Sequence, residues 1–217
     1  YGLSGAYGAV DVAAYKETLR RAYEMGVNFF DAAEAYGDAE RILGEVVRPF
    51  RDNVLVATKV GVRERIEPNL CAPYVIEACE MSLRRLGIER IDLYQVHFDD
   101  PETPVAETID ALEALVAAGK IHRYGVGHLP LPRVRTYIET GDVFSVLMAF
   151  SAVARGAREQ LLPLCEEHDV AAIAFSVTGR GLLTGRYAED HVFPEGDIRQ
   201  IDPLFQRERF RSGAHRR

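Results

Sequence analysis

Four side chains in this sequence are suited to moving a proton onto a carbonyl oxygen: the carboxylate of Asp31, the phenol of Tyr36, the ammonium of Lys59 and the imidazole of His97. Each lies at or just past the end of a short apolar run. Val27-Asn28-Phe29-Phe30 leads into Asp31, with Tyr36 five residues on. Asn53-Val54-Leu55-Val56-Ala57-Thr58 leads into Lys59, and Ile91-Asp92-Leu93-Tyr94-Gln95-Val96 leads into His97. A tyrosine can supply a proton, but its unperturbed pKa is about 10. A neighbouring ammonium favours the phenolate and brings that value down. Lys59 is the candidate neighbour of Tyr36, Asp31 the partner that orients Lys59, and His97 a hydrogen-bond partner for the substrate carbonyl. Taken singly, each residue has a plainer reading. The Asp is a cap or turn residue, the Tyr is packing, the Lys is a solvated charge and the His is structural. The four in register with strand ends read as a site.

The elements that must position them alternate along the chain. The apolar runs predict strands over 27–31, 53–59, 91–97, 122–127, 143–150 and 170–176. Amphipathic periodicity predicts helices over 11–25, 38–47, 72–86, 104–118, 130–139 and 157–168. Gly26, Gly87 and Gly119 follow helices, where a left-handed cap needs no Cβ. Pro104 and Pro130 stand at helix starts, where a missing N–H costs little. Unbroken alternation implies parallel strands and right-handed crossovers. The expected fold is α/β, a (β/α)8 TIM-type barrel forming a single domain over 1–217. Residues at the C-terminal ends of such strands converge on one mouth. Eight strands close a barrel of this kind, and six are found, so the first and last strands are expected to be missing from the chain. Two exposed sheet edges would invite pairing with another chain, and the oligomeric state is not read from the sequence.

The composition narrows the partners. The chain has 217 residues, 47% of them hydrophobic, enough for one sizeable core. The net charge of −7 argues against nucleic acid. Its one dense basic cluster, Arg207, Arg209, Arg211, Arg216 and Arg217, reads as a solvated tail. Cys71, Cys79 and Cys165 are odd in number and lack metal-knuckle spacing, so thiols in a reducing compartment are expected and no metal site is. No run of about eighteen apolar residues spans a membrane, and no signal peptide is visible. The expected location is the cytoplasm.

Neither a G-x-G-x-x-G after a strand nor a Walker motif is present. Ser176-Val177-Thr178-Gly179-Arg180-Gly181-Leu182-Leu183-Thr184-Gly185-Arg186 follows the last predicted strand instead. It is either an ordinary loop or a glycine-rich cradle whose backbone N–H groups hold a pyrophosphate.

Together these segments resemble the aldo-keto reductase family. The stretch 28–37 is similar to N-x-x-D-T-A-x-x-Y-G, Thr58-Lys59 to the family's T-K, and 92–97 to D-L-Y-x-x-H. Residues 115–121 resemble L-v-x-x-G-K-v, and 176–186 resemble S-P-L-x-x-G-L-L-T-G-K. The resemblance runs from Tyr1 to about Phe205. It implies a catalytic tetrad of Asp31, Tyr36, Lys59 and His97. It also implies NADPH as cofactor, with NADH as the alternative, and reduction of a small aldehyde or ketone to an alcohol. Ser176, Gly179, Gly181, Leu182 and Gly185 would lie along the cofactor pyrophosphate. Three positions depart from the family. Gly127-His128 stands where Ser-Asn usually holds the nicotinamide carboxamide, Leu147 where Gln does, and Phe150 at the position of the stacking Tyr. These departures leave two other expectations standing: a cofactor-binding regulatory or sensor protein on the same fold, and a truncated, inactive family member.

Overall fold

The computed structural model describes residues 5–62, 67–188 and 190–206. Six strands and six helices alternate: α1 (Val12–Glu24), β1 (Phe29–Asp31), α2 (Ala39–Val47), β2 (Leu55–Val60), α3 (Ala72–Leu86), β3 (Ile91–Val96), α4 (Val105–Ala117), β4 (Ile121–Gly127), α5 (Leu131–Thr140), β5 (Val143–Ala149), α6 (Leu161–Glu167) and β6 (Ala171–Phe175). The strands form one parallel sheet in sequence order, β1 to β6. This is six strands' worth of the expected (β/α)8 arrangement. Among the described residues β1 and β6 are its edges.

Side chains alternate across each strand. Val56, Tyr94, Val96, Tyr124, Val126, Val146 and Met148 are buried with the helices in one core. The opposite face carries the polar groups. Lys59 pairs in register with Gln95, Gln95 with Gly125, and Gly125 with Ser145, so these four form a row across β2 to β5. Gly125 has to be glycine, because a Cβ there would sit 2.8 Å from the backbone oxygen of Ser145.

Most boundaries differ from expectation by one or two residues, the strand expected over 53–59 being Leu55–Val60, and two differences have a local reason. The strand predicted over 27–31 begins only at Phe29, because the Val27 N–H is taken by Ala22 O at 3.0 Å to close α1. The helix predicted over 157–168 is instead a short turn, Gly156–Arg158, followed by α6. Pro163 has no N–H and is tolerated only in a first turn, so the helix starts at Leu161. The described segment after β6 adds a separate small cluster, in which Leu182, Phe193 and Phe205 are buried together.

The helical layer is closed most tightly where α2 passes the end of α3. A Cβ on Gly44 would lie 1.9 Å from the backbone oxygen of Leu86. Gly44→Ala should therefore destabilise the protein by about 1–3 kcal/mol or more, despite the better helix propensity of alanine. Urea unfolding measures it, and a variant as stable as the wild type would refute the close approach.

Candidate active site

The strand ends bring the four candidate residues together. The ladder continues past the strands themselves. Ala32 N–H donates to Ala57 O at 2.9 Å, Glu34 N–H to Lys59 O at 3.3 Å, and His97 N–H to Val60 O at 2.8 Å. The loop after β1 is thus laid against the end of β2. Glu34 holds it there by accepting from Gly61 N at 2.8 Å, Val62 N at 3.1 Å and the Tyr74 hydroxyl at 3.0 Å.

Lys59 is 2% exposed. Its ammonium donates to Asp31 Oδ2 and, at 2.7 Å, to Ala32 O. It stands 5.1 Å from the centre of the Tyr36 ring. Burial pushes the Lys59 pKa below the ordinary lysine value, and Asp31 pushes back. The Tyr36 hydroxyl meets His97 Nε2 at 3.3 Å. Burial, with smaller contributions from Lys59 and His128, pushes His97 down to about 3, so its ring is neutral at pH 7. His97 Nδ1 is buried and has no hydrogen-bond partner among the described residues.

These residues open into a cavity of about 500 Å³, a volume usual for small-molecule sites. Asp31, Tyr36, Lys59 and His97 line one side of it, and His128, Leu147, Phe175, Ser176, Thr178 and Arg180 line the other. His128 Nδ1 donates to His97 O at 3.1 Å, and its ring packs 4.6 Å from Phe175 and 4.8 Å from Phe98. Burial pushes its pKa down as well, so Nε2 is left as an acceptor. His128, Ser176 and Arg180 have φ of 52°, 53° and 56°. They are three of the four described non-glycine residues with positive φ. Strain of this kind clusters at functional sites. A second cavity, of about 600 Å³, shares Tyr36, His97 and Phe98 and is otherwise walled by Ala35, Ile198 and Ile201, among others. The Tyr36–His97 pair therefore stands between two cavities.

Among the other predicted cofactor residues, Gly127 is not in the lining of the first cavity but adjoins Leu147, which is, and a Cβ there would crowd Leu147 at 3.0 Å. Phe150, Gly179, Gly181, Leu182 and Gly185 are not in its lining. Phe150 packs against the core, and Phe175 is the aromatic ring at the cavity. Gly179, Gly181 and Gly185 have φ of 58°, 95° and 71° and shape the turn beyond Ser176, which buries Leu182. Sequence reasoning missed Phe98 and Phe175, which adjoin His97 and Ser176 and could have been found by their strand-end positions. It also missed Arg180, whose guanidinium pairs with Asp202 at 2.5 Å, and Tyr7, which nothing in the local pattern marks.

The depressed His97 pKa has a consequence for stability. The unfolded chain binds a proton near pH 6.5 that the folded site refuses, so stability is full above that pH and is lost as the pH falls toward 3. The slope contributed by His97 should reach roughly 1.4 kcal/mol per pH unit at its steepest. In NMR the His97 ring resonances should not titrate between pH 5 and 8. A His97 midpoint near 6.5 would contradict the buried, neutral ring.

Comparison with known proteins places this arrangement. A model described as the Aldo/keto reductase family matches residues 1–202. The aldo-keto reductase YhdN of Bacillus subtilis is 32% identical over 212 residues, covering 94% of this chain and 64% of its own length. The aldo-keto reductase yakc of Schizosaccharomyces pombe, whose name specifies NADP(+), is 31% identical, covering 96% of this chain and 65% of its own length. The chain therefore spans a little under two thirds of these relatives. Among solved structures, a glycerol dehydrogenase from Gluconobacter oxydans superposes with a TM-score of 0.87 at 28% identity, over 98% of this chain and 68% of that one. The matched family model, the parallel strand order and the four side chains gathered at the strand ends agree: the chain belongs to the aldo/keto reductase family.

Proposed function

We propose that this chain carries the site of an NAD(P)H-dependent reductase that converts a small aldehyde or ketone to an alcohol, with Tyr36 as proton donor. The observation that carries this reading is the buried Lys59 ammonium, clasped by Asp31 and set against the Tyr36 ring, with the Tyr36 hydroxyl on His97. An ammonium beside a phenol makes its proton easier to give up. His97 is neutral, so it can orient a carbonyl by hydrogen bonding without competing to be the acid.

The cavities divide the work. The larger set of polar and strained groups, His128, Ser176, Thr178 and Arg180, faces the first cavity and suits a dinucleotide. Arg180 and the backbone after Ser176 would hold its phosphates. His128 Nε2 would accept from the carboxamide, in the place where the family resemblance implies Ser-Asn. Gly127 leaves room for it. A reduced nicotinamide, when bound, supplies the hydride. The second cavity, with Ala35, Ile198 and Ile201 in its walls, would take the carbonyl substrate, whose oxygen would meet Tyr36 and His97. NADPH is the proposed cofactor, in line with the NADP(+) named for one relative, and NADH is the alternative. The residues 1–217 are proposed as one barrel domain working in the cytoplasm. No described helix is long and apolar enough to cross a membrane.

Two measurements test this. Tyr36→Phe should lower carbonyl reduction by about 10²–10⁴-fold and leave cofactor affinity nearly unchanged. Wild-type turnover in that variant, read on a panel of aldehydes and ketones, would place the proton donor elsewhere. His128→Ala should weaken NADPH binding by about 1–2 kcal/mol, read by fluorescence titration. An unchanged dissociation constant would retire the carboxamide contact.

A further inference from the structure

Gln95 lies beneath the site in the row Lys59, Gln95, Gly125, Ser145. It is 1% exposed. Its Nε2 donates to Asp31 Oδ1 at 2.9 Å. The other Asp31 oxygen, Oδ2, receives the Lys59 ammonium. One carboxylate is thus gripped at both oxygens, from β2 and from β3. The amide can point only one way here, because its carbonyl oxygen would repel the carboxylate.

That orientation has a cost. Gln95 Oε1 is buried and has no hydrogen-bond partner among the described residues. A buried acceptor left unpaired destabilises the fold, and methionine would fill similar space without it. The polar end that is satisfied is the end that touches Asp31. The Asp31 side chain is 35% exposed, so it is not held by burial. Without the amide its carboxylate could turn toward water and carry the lysine contact with it.

We propose that Gln95 is a positioning residue of the site: its amide N–H fixes the Asp31 carboxylate, and Asp31 in turn holds the Lys59 ammonium against the Tyr36 ring. The role rests on the reading of Tyr36 as the proton donor. Being a neutral amide, Gln95 clamps the carboxylate in the same way at every working pH.

Two variants test the role on the full chain, with NADPH and an aldehyde that the wild type reduces. Gln95→Met removes the clamp together with the unpaired oxygen. Its thermal midpoint should equal or exceed that of the wild type, while kcat falls tenfold to a hundredfold and KM changes little. Gln95→Glu places a second carboxyl against Asp31. Burial and the like charge keep that introduced group protonated well above the ordinary carboxylate range. While protonated it donates to Asp31 as the amide does, so kcat at low pH should be close to that of the wild type. Activity should then fall as the pH rises through the titration of the introduced group, a limb absent from the wild-type profile. The titratable and charged groups that line the cavity with Asp31 are Tyr7, Tyr36, Lys59, His97, His128 and Arg180. None of them is altered by the substitution.

A wild-type pH profile in Gln95→Glu, or wild-type kcat in Gln95→Met, overturns the positioning role. So does a Gln95→Met variant whose lost activity tracks a lowered thermal midpoint, since Gln95 would then be packing. If Tyr36→Phe is inactive while the Gln95→Glu profile is unshifted, the role of Gln95 fails alone. If the wild type reduces no carbonyl, or Tyr36→Phe turns over normally, the reductase reading fails and the positioning role goes with it.

Discussion

A charged ammonium sealed inside the protein is the constraint around which the rest is arranged. Lys59 has almost no contact with water, and an ion removed from solvent must be met by charge and hydrogen bonds at close range. Asp31 and the backbone oxygen of Ala32 provide both. They can do so only if β1 and β2 keep their register, with Asp31 beside Ala57, and if the loop after β1 turns back over the strand ends. Two buried acids secure that turn. Glu34 ties the loop to the backbone after β2 and to α3. Glu40, on α2, accepts from Thr58 Oγ1 at 2.5 Å and from Arg85 Nε at 2.5 Å, joining α2, β2 and α3 beside the lysine. The helical layer and the site are therefore parts of one electrostatic arrangement.

Much of this was legible in the residues because two patterns coincide. An apolar run reports a buried strand, and a polar residue at its end reports a position that faces the mouth. Asp31, Lys59 and His97 satisfy both, and Tyr36 follows at loop distance from Asp31. His128 was legible for the same reason, as the residue directly after Gly127 at the end of β4. What periodicity does not carry is the pairing of side chains distant in sequence. Nothing near Arg180 announces Asp202, and nothing in the N-terminal loop announces that Tyr7 lines the cavity. Gln95 sat inside a recognised motif, yet an amide in a strand has no chemistry of its own to draw attention. Its significance is set by which carboxylate lies across from it. Phe150 and Phe175 illustrate the same limit. Both end strands, and only packing decides which ring reaches the cavity.

The two histidines at the mouth are shaped by burial more than by charge. His97 and His128 are both held neutral by desolvation, and each is the other's neighbour. The backbone oxygen of His97 fixes the His128 ring. The left-handed backbone at His128 is thereby tied to the residue that meets Tyr36. The two rings also meet edge to face with centres 5.6 Å apart, and both pack on Phe98.

The floor and the roof of the cavity answer to different forces. At the floor Lys59 and Gln95 are sealed from water and hold the partly exposed Asp31 by direct charge and hydrogen bonds. The roof includes the Arg180–Asp202 pair, whose side chains are 28% and 6% exposed, and the small apolar cluster of Leu182, Phe193 and Phe205 lies in the same segment after β6. Dissolved ions screen a pair so little exposed only weakly, and the cluster is held by apolar burial instead. The floor is thus fastened by β1, β2 and β3 and the roof by the segment after β6, so the walls that receive a ligand and the groups that it meets are held by different parts of the chain.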